Sequence, residues 1–421
     1  MATRPNFLFV MTDQQGLDTI SALGCEYIHT PNLDRLAARG VSFMESYSAN
    51  PVCTPARAAL FTGRTTCETG VIANEMGIRS DIPNLGQWLG GEGYETVYCG
   101  KWHVPRSYSF DIPGFTVLPG GLGGQGTLGD QAVSSACEGY LHNHKGDDPF
   151  LLVASFLQPH DVCNWVQRHR DTPDELPFPE IEDELPPFPD NFVFDPREPK
   201  TARFPRVEGW SERQWRYYIW SYYRMVEEVD YEIGRALQAL DDSGQADDTI
   251  VIFASDHGEG RGRHQTVTKN FMYEESVKVP LILAGPGVPE NVQDSDHLIS
   301  GLDVMATMCD YAGIEIPEHN RGFSLRSIVE DQQVEWRDFV VAEVARDHGR
   351  MIRTRDYKLI AYRNDPVTQL FDMKNDPGET VNLAGDEKYV GIFEEHRNLL
   401  ETWEAQLDHA PNALPPFKVA I

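Results

Sequence analysis

No apolar run in the 421 residues approaches the roughly 20 that span a bilayer, so no transmembrane helix is expected. Cationic residues are scarce: 36 Lys and Arg stand against 65 Asp and Glu, a net charge of −29. Such acidity argues against nucleic acid or an anionic membrane as partner. Cysteines are few and scattered: Cys25, Cys53, Cys67, Cys99, Cys137, Cys163 and Cys309. An odd count with that spacing is no disulfide framework, and no pair has zinc-finger spacing. Most are expected to be small buried hydrophobes. There is no internal repeat. Asn6–Met11 comes too early to follow a signal peptide and reads as a buried strand. As written, the chain is expected to be cytoplasmic, or periplasmic or secreted if an export signal has been removed.

A hydrophobic content of 41% is ordinary for a soluble globular protein, and the length allows one large domain plus a smaller one. Phe7–Met11, Val41–Ser48, Glu95–Cys99, Phe150–Phe156, Asp248–Ala254 and Val279–Ala284 read as strands. Helices are expected over Asn32–Arg39, closed by Gly40, from Pro55, and over about Ser211 to Asp242. In the last of these, Trp215, Tyr218, Tyr222, Met225 and Val229 form a packing stripe. Asp171–Lys200, rich in proline and acid, is expected as a surface excursion. The alternation argues an α/β sheet with helices on both faces over residues 1–330. Beyond, Phe339–Val344, Met351–Arg353, Lys358–Tyr362 and Gln369–Phe371 suit short antiparallel strands, and Val390–Leu407 a closing helix. Residues 331–421 are therefore expected as a smaller α+β unit.

Cys53-Thr54-Pro55-Ala56-Arg57 puts a cysteine at a helix mouth with an arginine one turn further in. A helix N-terminus offers unpaired N–H groups and partial positive charge, and Arg57 adds a forked cation suited to a tetrahedral oxyanion. A phosphate- or sulfate-like group would meet the Cys53 side chain. Ligands of open α/β sheets bind beyond the carboxyl ends of strands, and Asp13, Lys101, His103, His160 and Asp256 all follow predicted strands. Asp13 and Asp256 offer hard oxygen donors to a divalent cation, with Gln14 and His257 adding a carbonyl oxygen and an imidazole. Against this, Asp13 could cap a helix and Asp256-His257-Gly258 could be a plain turn. Cys53 itself could be an inert buried thiol, a thiolate nucleophile activated by the helix and Arg57, or a precursor for modification.

The segment Cys53–Arg57 with Thr62-Gly63-Arg64 resembles the signature of the sulfatase family in the alkaline phosphatase superfamily. Asn6–Gln14, Thr30–Asp34, Gly100–His103, Ser155–Asp161, Ser255–Glu259, Tyr273–Pro280 and Asp372–Leu383 resemble further family segments in the family's order. The resemblance spans nearly the whole chain and implies an alkaline phosphatase-like fold, a large mixed sheet sandwiched by helices. It implies that Cys53 becomes Cα-formylglycine, made by a formylglycine-generating enzyme or a radical maturase. Asp13, Gln14, Asp256 and His257 match calcium-binding positions, with formylglycine completing the shell. Arg57 and Lys101 match cations supporting the formylglycine, and Lys269 the lysine that grips sulfate. His103 matches the histidine beside the formylglycine hydroxyl, and His160 the one that protonates the leaving group. Asn74, Arg263 and His264 are weaker candidates for the substrate pocket.

The sequence departs from many members at Gln14, where aspartate is common, and at His257, where asparagine is common. Imidazole also suits transition metals, so Mg2+ or Mn2+ are alternatives to Ca2+. The implied chemistry is attack on sulfur by a metal-activated hydroxyl of the aldehyde hydrate, then loss of sulfate by C–O cleavage. The expected substrate is a small-molecule or oligosaccharide sulfate ester, with a sulfated carbohydrate favoured. A phosphonate monoester or phosphodiester hydrolase, and a catalytically silent sulfate- or glycan-binding protein, are the competing readings.

Overall fold

A long, nearly continuous apolar strand, Asn6–Asp13, lies at the centre of an eight-stranded sheet in the computed structural model. The structure describes residues 4–106, 108–119, 125–146, 148–171, 179–203, 206–330, 335–344 and 346–419. Across the sheet the strands run Thr116–Leu118, Glu95–Gly100, Phe150–Pro159, Asn6–Asp13, Thr249–Ser255, Leu281–Ala284, Gly40–Phe43 and Val292–Asp294. The first five are mutually parallel; Leu281–Ala284 runs antiparallel to both its neighbours. Strands buried on both faces need apolar side chains at every position, which is why these segments read as unbroken apolar runs.

Alternate residues of the central strand serve two cores. Phe7, Phe9 and Met11 pack with Phe61, Val304 and Met308 on one face. Leu8 and Val10 pack with Val133, Cys137, Val229 and Ile233 on the other. Helices therefore cover both faces, as expected. The 31-residue helix Glu212–Asp242 begins at Ser211, whose side chain caps Gln214 N in a capping box. Two further helices, Gly126–Asn143 and Asp303–Ala312, were not legible beforehand. The single expected strand Val41–Ser48 is two, Gly40–Phe43 and Ser46–Tyr47, in different sheets. No helix among the described residues is long and apolar enough to cross a membrane.

Phe339–Val344, Gly349–Thr354, Tyr357–Tyr362 and Gln369–Asp372 form the four-stranded antiparallel sheet. One face meets helix Val390–Glu404 and Phe417. The other shares a core with Tyr47, Phe271, Met272 and Val277 from the main body. Of the expected excursion Asp171–Lys200, residues 172–178 lie outside the described residues, and Pro179–Glu184 forms a 3-10 turn.

Candidate active site

Four adjacent parallel strands end at one edge of the large sheet, and each delivers a polar group there. Glu95–Gly100 leads into Lys101 and His103, Phe150–Pro159 into His160, Asn6–Asp13 into Gln14, and Thr249–Ser255 into Asp256 and His257. The fully buried helix Cys53–Thr62 enters beside them with Cys53 as its first residue. Val52 precedes it with no side-chain cap, so the helix start is aimed at the cluster without an intervening side chain. The Thr54 N–H donates to Asn74 Oδ1 at 3.1 Å.

Asp13, Cys53, Asp256 and His257 place one donor atom each within 4.8 Å of one another, all buried. Cys53 Sγ is 3.1 Å from His257 Nε2 and 3.6 Å from Asp13 Oδ1. His257 Nδ1 lies 3.0 Å from the Gly258 carbonyl; donating there, it leaves the Nε2 lone pair facing the cluster. Arg57 spans both carboxylates, at 2.8 Å to Asp256 and 3.2 Å to Asp13, and Lys101 Nζ sits 2.6 Å from Asp13. Burial raises the Asp13 pKa, but Lys101, His160, Arg57 and His257 outweigh it and hold the carboxylate well below its ordinary range. Asp256 goes the other way: burial and the neighbouring Asp13 charge push it up to about 6 against His257 and Arg57. The two carboxylates thus repel one another across the pocket, which a cation between them would relieve. Two buried carboxylates, an imidazole nitrogen and the position-53 side chain are a donor set that fits a divalent cation.

The same cations act on Cys53. Burial and Asp13 raise its pKa, yet Lys101, Lys269 and His257 bring it well below the ordinary thiol value. His160 faces Cys53 and is pushed down to about 4, first by burial and then by Lys101 and Lys269. Lys269 Nζ bonds Gln14 Oε1 and lies 3.6 Å from Cys163 Sγ. Burial opposes the Lys269 charge, but Cys163, Cys53, Asp13 and Glu259 raise its pKa further. Gln14 gives its backbone N–H to Asp256 Oδ1 at 3.0 Å, while its amide is spent on Lys269 and Glu259. His103 adopts φ +65, and its buried Nδ1 has no partner among the described residues.

Lys269, Asn74, Cys163, Asn270 and Arg346 line a cavity of about 500 Å3. Two weaker candidates lie elsewhere. His264 spends Nδ1 on Glu275 at 2.9 Å and Nε2 on the Glu379 carbonyl at 3.2 Å, stacked on Tyr273. Arg263 pairs with Asp18 at 2.7 Å and lines a different cavity. Their local sequence shows only basic charge; the acids that occupy them come from distant segments.

Several groups at the site were not anticipated. Buried Glu259 accepts from Gln14 Nε2, the Tyr218 hydroxyl and Thr268 N. The Tyr222 hydroxyl donates to the Gln14 carbonyl at 2.7 Å. Tyr218 and Tyr222 belong to the expected packing stripe, and nothing in helical spacing shows where a hydroxyl ends. Ser155 Oγ accepts from Arg57 at 2.8 Å and donates to the Lys101 carbonyl at 2.7 Å. Cys163 stands three residues after His160, a helical-turn spacing that could have flagged it.

A family model described as Sulfatase matches residues 5–314, and one described as N-sulphoglucosamine sulphohydrolase, C-terminal, matches residues 262–406. A Delta 4,5-hexuronate-2-O-sulfatase of Bacteroides thetaiotaomicron is 32% identical over 95% of this chain and 89% of its own length. A solved 2-O GAG sulfatase superposes with a TM-score of 0.84 at 31% identity, covering 96% of this chain and 92% of its own. A second structure, solved with its substrate D-glucosamine-2-N,6-O-disulfate, gives a TM-score of 0.81 at 26% identity, with 96% of each chain covered.

Proposed function

The chain belongs to the sulfatase family, and from that premise we propose that it hydrolyses the sulfate ester of a sulfated carbohydrate, after conversion of Cys53 to Cα-formylglycine. The observation that carries this is the place of Cys53: first in a buried, uncapped helix, with its sulfur 3.1 Å from His257 Nε2 and 3.6 Å from Asp13 Oδ1. A side chain in that place serves both as a metal ligand and as the group a tetrahedral oxyanion meets. Sulfated sugars are supported by what the relatives' names state for those proteins, and by a cavity of about 500 Å3 that Asn74, Lys269 and Asn270 help to line, within the range of small-ligand sites.

Asp13, Asp256 and His257, with an oxygen in place of the Cys53 sulfur, would hold the divalent cation. We take this to be calcium because oxygen donors outnumber the single imidazole. When present, the cation supplies Lewis acidity, and a hydrated aldehyde supplies two hydroxyls on one carbon, one to attack sulfur and one to release sulfate. The chain's own residues do the rest. Lys101 and Lys269 place positive charge where the sulfate oxygens would lie, and Arg57 fixes both aspartates. His160 gives a proton to the leaving alcohol oxygen. Burial and the two lysines push its pKa down and keep the ring neutral; a bound sulfate would oppose those lysines and favour proton uptake. His103, with an orphaned ring nitrogen, is assigned the later proton removal.

Co-expression with a formylglycine-generating enzyme or a radical maturase, followed by tandem mass spectrometry of the Cys53 peptide, tests the modification. The aldehyde is expected, and Cys53→Ala should lower sulfate release by at least about a thousandfold while leaving the fold intact. Faster cleavage of an aryl phosphonate than of an aryl sulfate would move the protein to the phosphonate monoester or phosphodiester hydrolases. An unmodified thiol with no hydrolysis would leave a silent sulfate- or glycan-binding protein.

A further inference from the structure

In a chain with this excess of acid, buried arginines are paired: Arg57 with Asp13 and Asp256, Arg261 with Asp18, Arg350 with Glu404. Arg346 is different. It is exposed, and it forms no hydrogen bond or ion pair among the described residues. It nonetheless lines the cavity that holds Lys269, Asn74 and Asn270. An arginine left without an acid beside an anion site is free for a ligand.

Its placement is built rather than incidental. Arg346 lies in the turn between strands Phe339–Val344 and Gly349–Thr354, which close at the pair Val344–Gly349. Arg346 and Asp347 both take left-handed backbone angles, φ +56 and +70, a conformation uncommon for non-glycine residues that the surroundings here hold in place. The holding contacts are visible. Asp347 accepts from Arg350 at 2.5 Å and from Leu414 N at 2.6 Å, and its carbonyl accepts from Arg363 at 3.2 Å. Buried Arg350 also reaches Glu343 at 3.3 Å. Glu343 in turn accepts from Thr66 Oγ1 at 2.5 Å and Cys67 N at 3.2 Å, and its own N–H donates to Ala49 O at 2.9 Å. The turn is thereby tied to the segments on either side of the Cys53 helix, which fixes the Arg346 backbone beside the cavity that its side chain lines.

Resting on the sulfatase reading, we propose that Arg346 recognises a second anionic group on the substrate, distinct from the sulfate that is cleaved. A guanidinium fork matches a carboxylate or a further sulfate equally in charge and geometry, so the substrate class is a sulfated sugar with at least two negative charges. Arg346 is a specificity residue: it binds the substrate away from the reacting sulfur.

The test compares kcat/KM for sulfated hexuronates, disulfated hexoses and matched monosulfated neutral hexoses, in the maturated wild type, Arg346→Gln and Arg346→Lys. Wild type should prefer one of the doubly charged classes, and which one identifies the second anion as carboxylate or sulfate. Arg346→Gln should reduce that preference about fivefold, through KM and with kcat kept. Arg346→Lys should recover part of it. A loss shared equally by singly and doubly charged sugars, or no loss, overturns the inference. Turnover of an aryl sulfate by wild type separates the two readings. With aryl turnover present and no discrimination by Arg346, this inference alone fails; with no sulfate released from any probe, the sulfatase reading fails with it.

Discussion

Glu275 and His264 form a buried pair at 2.9 Å that looks catalytic in a list of residues and structural in three dimensions. Burial disfavours the imidazolium, but Glu275 and the Glu379 carbonyl more than offset it, so the His264 pKa is raised above its ordinary 6.5. A raised histidine means the folded state binds the proton more tightly than the unfolded chain. The stabilisation is therefore complete below about pH 6.5 and is lost as pH rises through the folded value. Replacing His264 by Phe keeps a ring against Tyr273 and leaves Glu275 unpaired. The variant should be destabilised by about 3 kcal/mol at about pH 5.5, and the gap in melting temperature from wild type should narrow by about pH 8.5. A pH-independent gap would show that the ring packs there without charge. The same contrast explains which site residues could be read from sequence. Asp13, Asp256, His257, Lys101 and His160 announce themselves because each directly follows an apolar strand. The partners that occupy His264 and Arg263, namely Glu275, Glu379 and Asp18, are a matter of tertiary proximity, and Arg346 sits in a short turn without any local signal.

Gly100 ends the strand that delivers Lys101, and it does so with φ +99. A Cβ there would lie 2.0 Å from the Ser155 carbonyl oxygen and 2.9 Å from Val133 Cγ2. The Lys101 N–H donates to that same carbonyl at 3.0 Å, and the Lys101 carbonyl accepts from Arg57 at 2.7 Å and Tyr98 at 2.6 Å. Gly100→Ala should force the two strand ends apart, costing about 2–4 kcal/mol in stability and lowering kcat through displaced Lys101 and Arg57. Denaturant unfolding and sulfate release measure the two effects, and a variant of wild-type stability and turnover would show the junction to be pliable. Elements divide by the same logic as residues. Fully buried strands were legible because every position must be apolar. Helix Gly126–Asn143 was not, since Gly126, Gly129 and Gly139 weaken helix propensity; it forms because Val133, Cys137 and Leu141 bury against the sheet core. The expected strand over Val41–Ser48 breaks at Met44 and Glu45, because its two halves join different sheets.

At the scale of the whole molecule, an anionic substrate must approach a protein of net charge −29 and then enter a site built on Lys101, Lys269, Arg57 and Arg346. These two fields have different reach. The screening length is about 30 Å at 0.01 M salt, where the substrate feels the charge of the entire chain, and about 10 Å at 0.1 M, where only the local cations count. Raising salt over that range therefore removes repulsion sooner than it removes attraction. The expected outcome is that kcat/KM for a doubly charged sulfated sugar rises by roughly threefold between about 0.01 M and 0.1 M salt, and falls again as higher salt screens the site itself. A sulfate ester of zero net charge, carrying its own cation, should change little across the same range. A steady fall from the lowest salt for the dianion would mean that the cationic site dominates even at long range, and that the acidic surface lies too far from the approach path to matter.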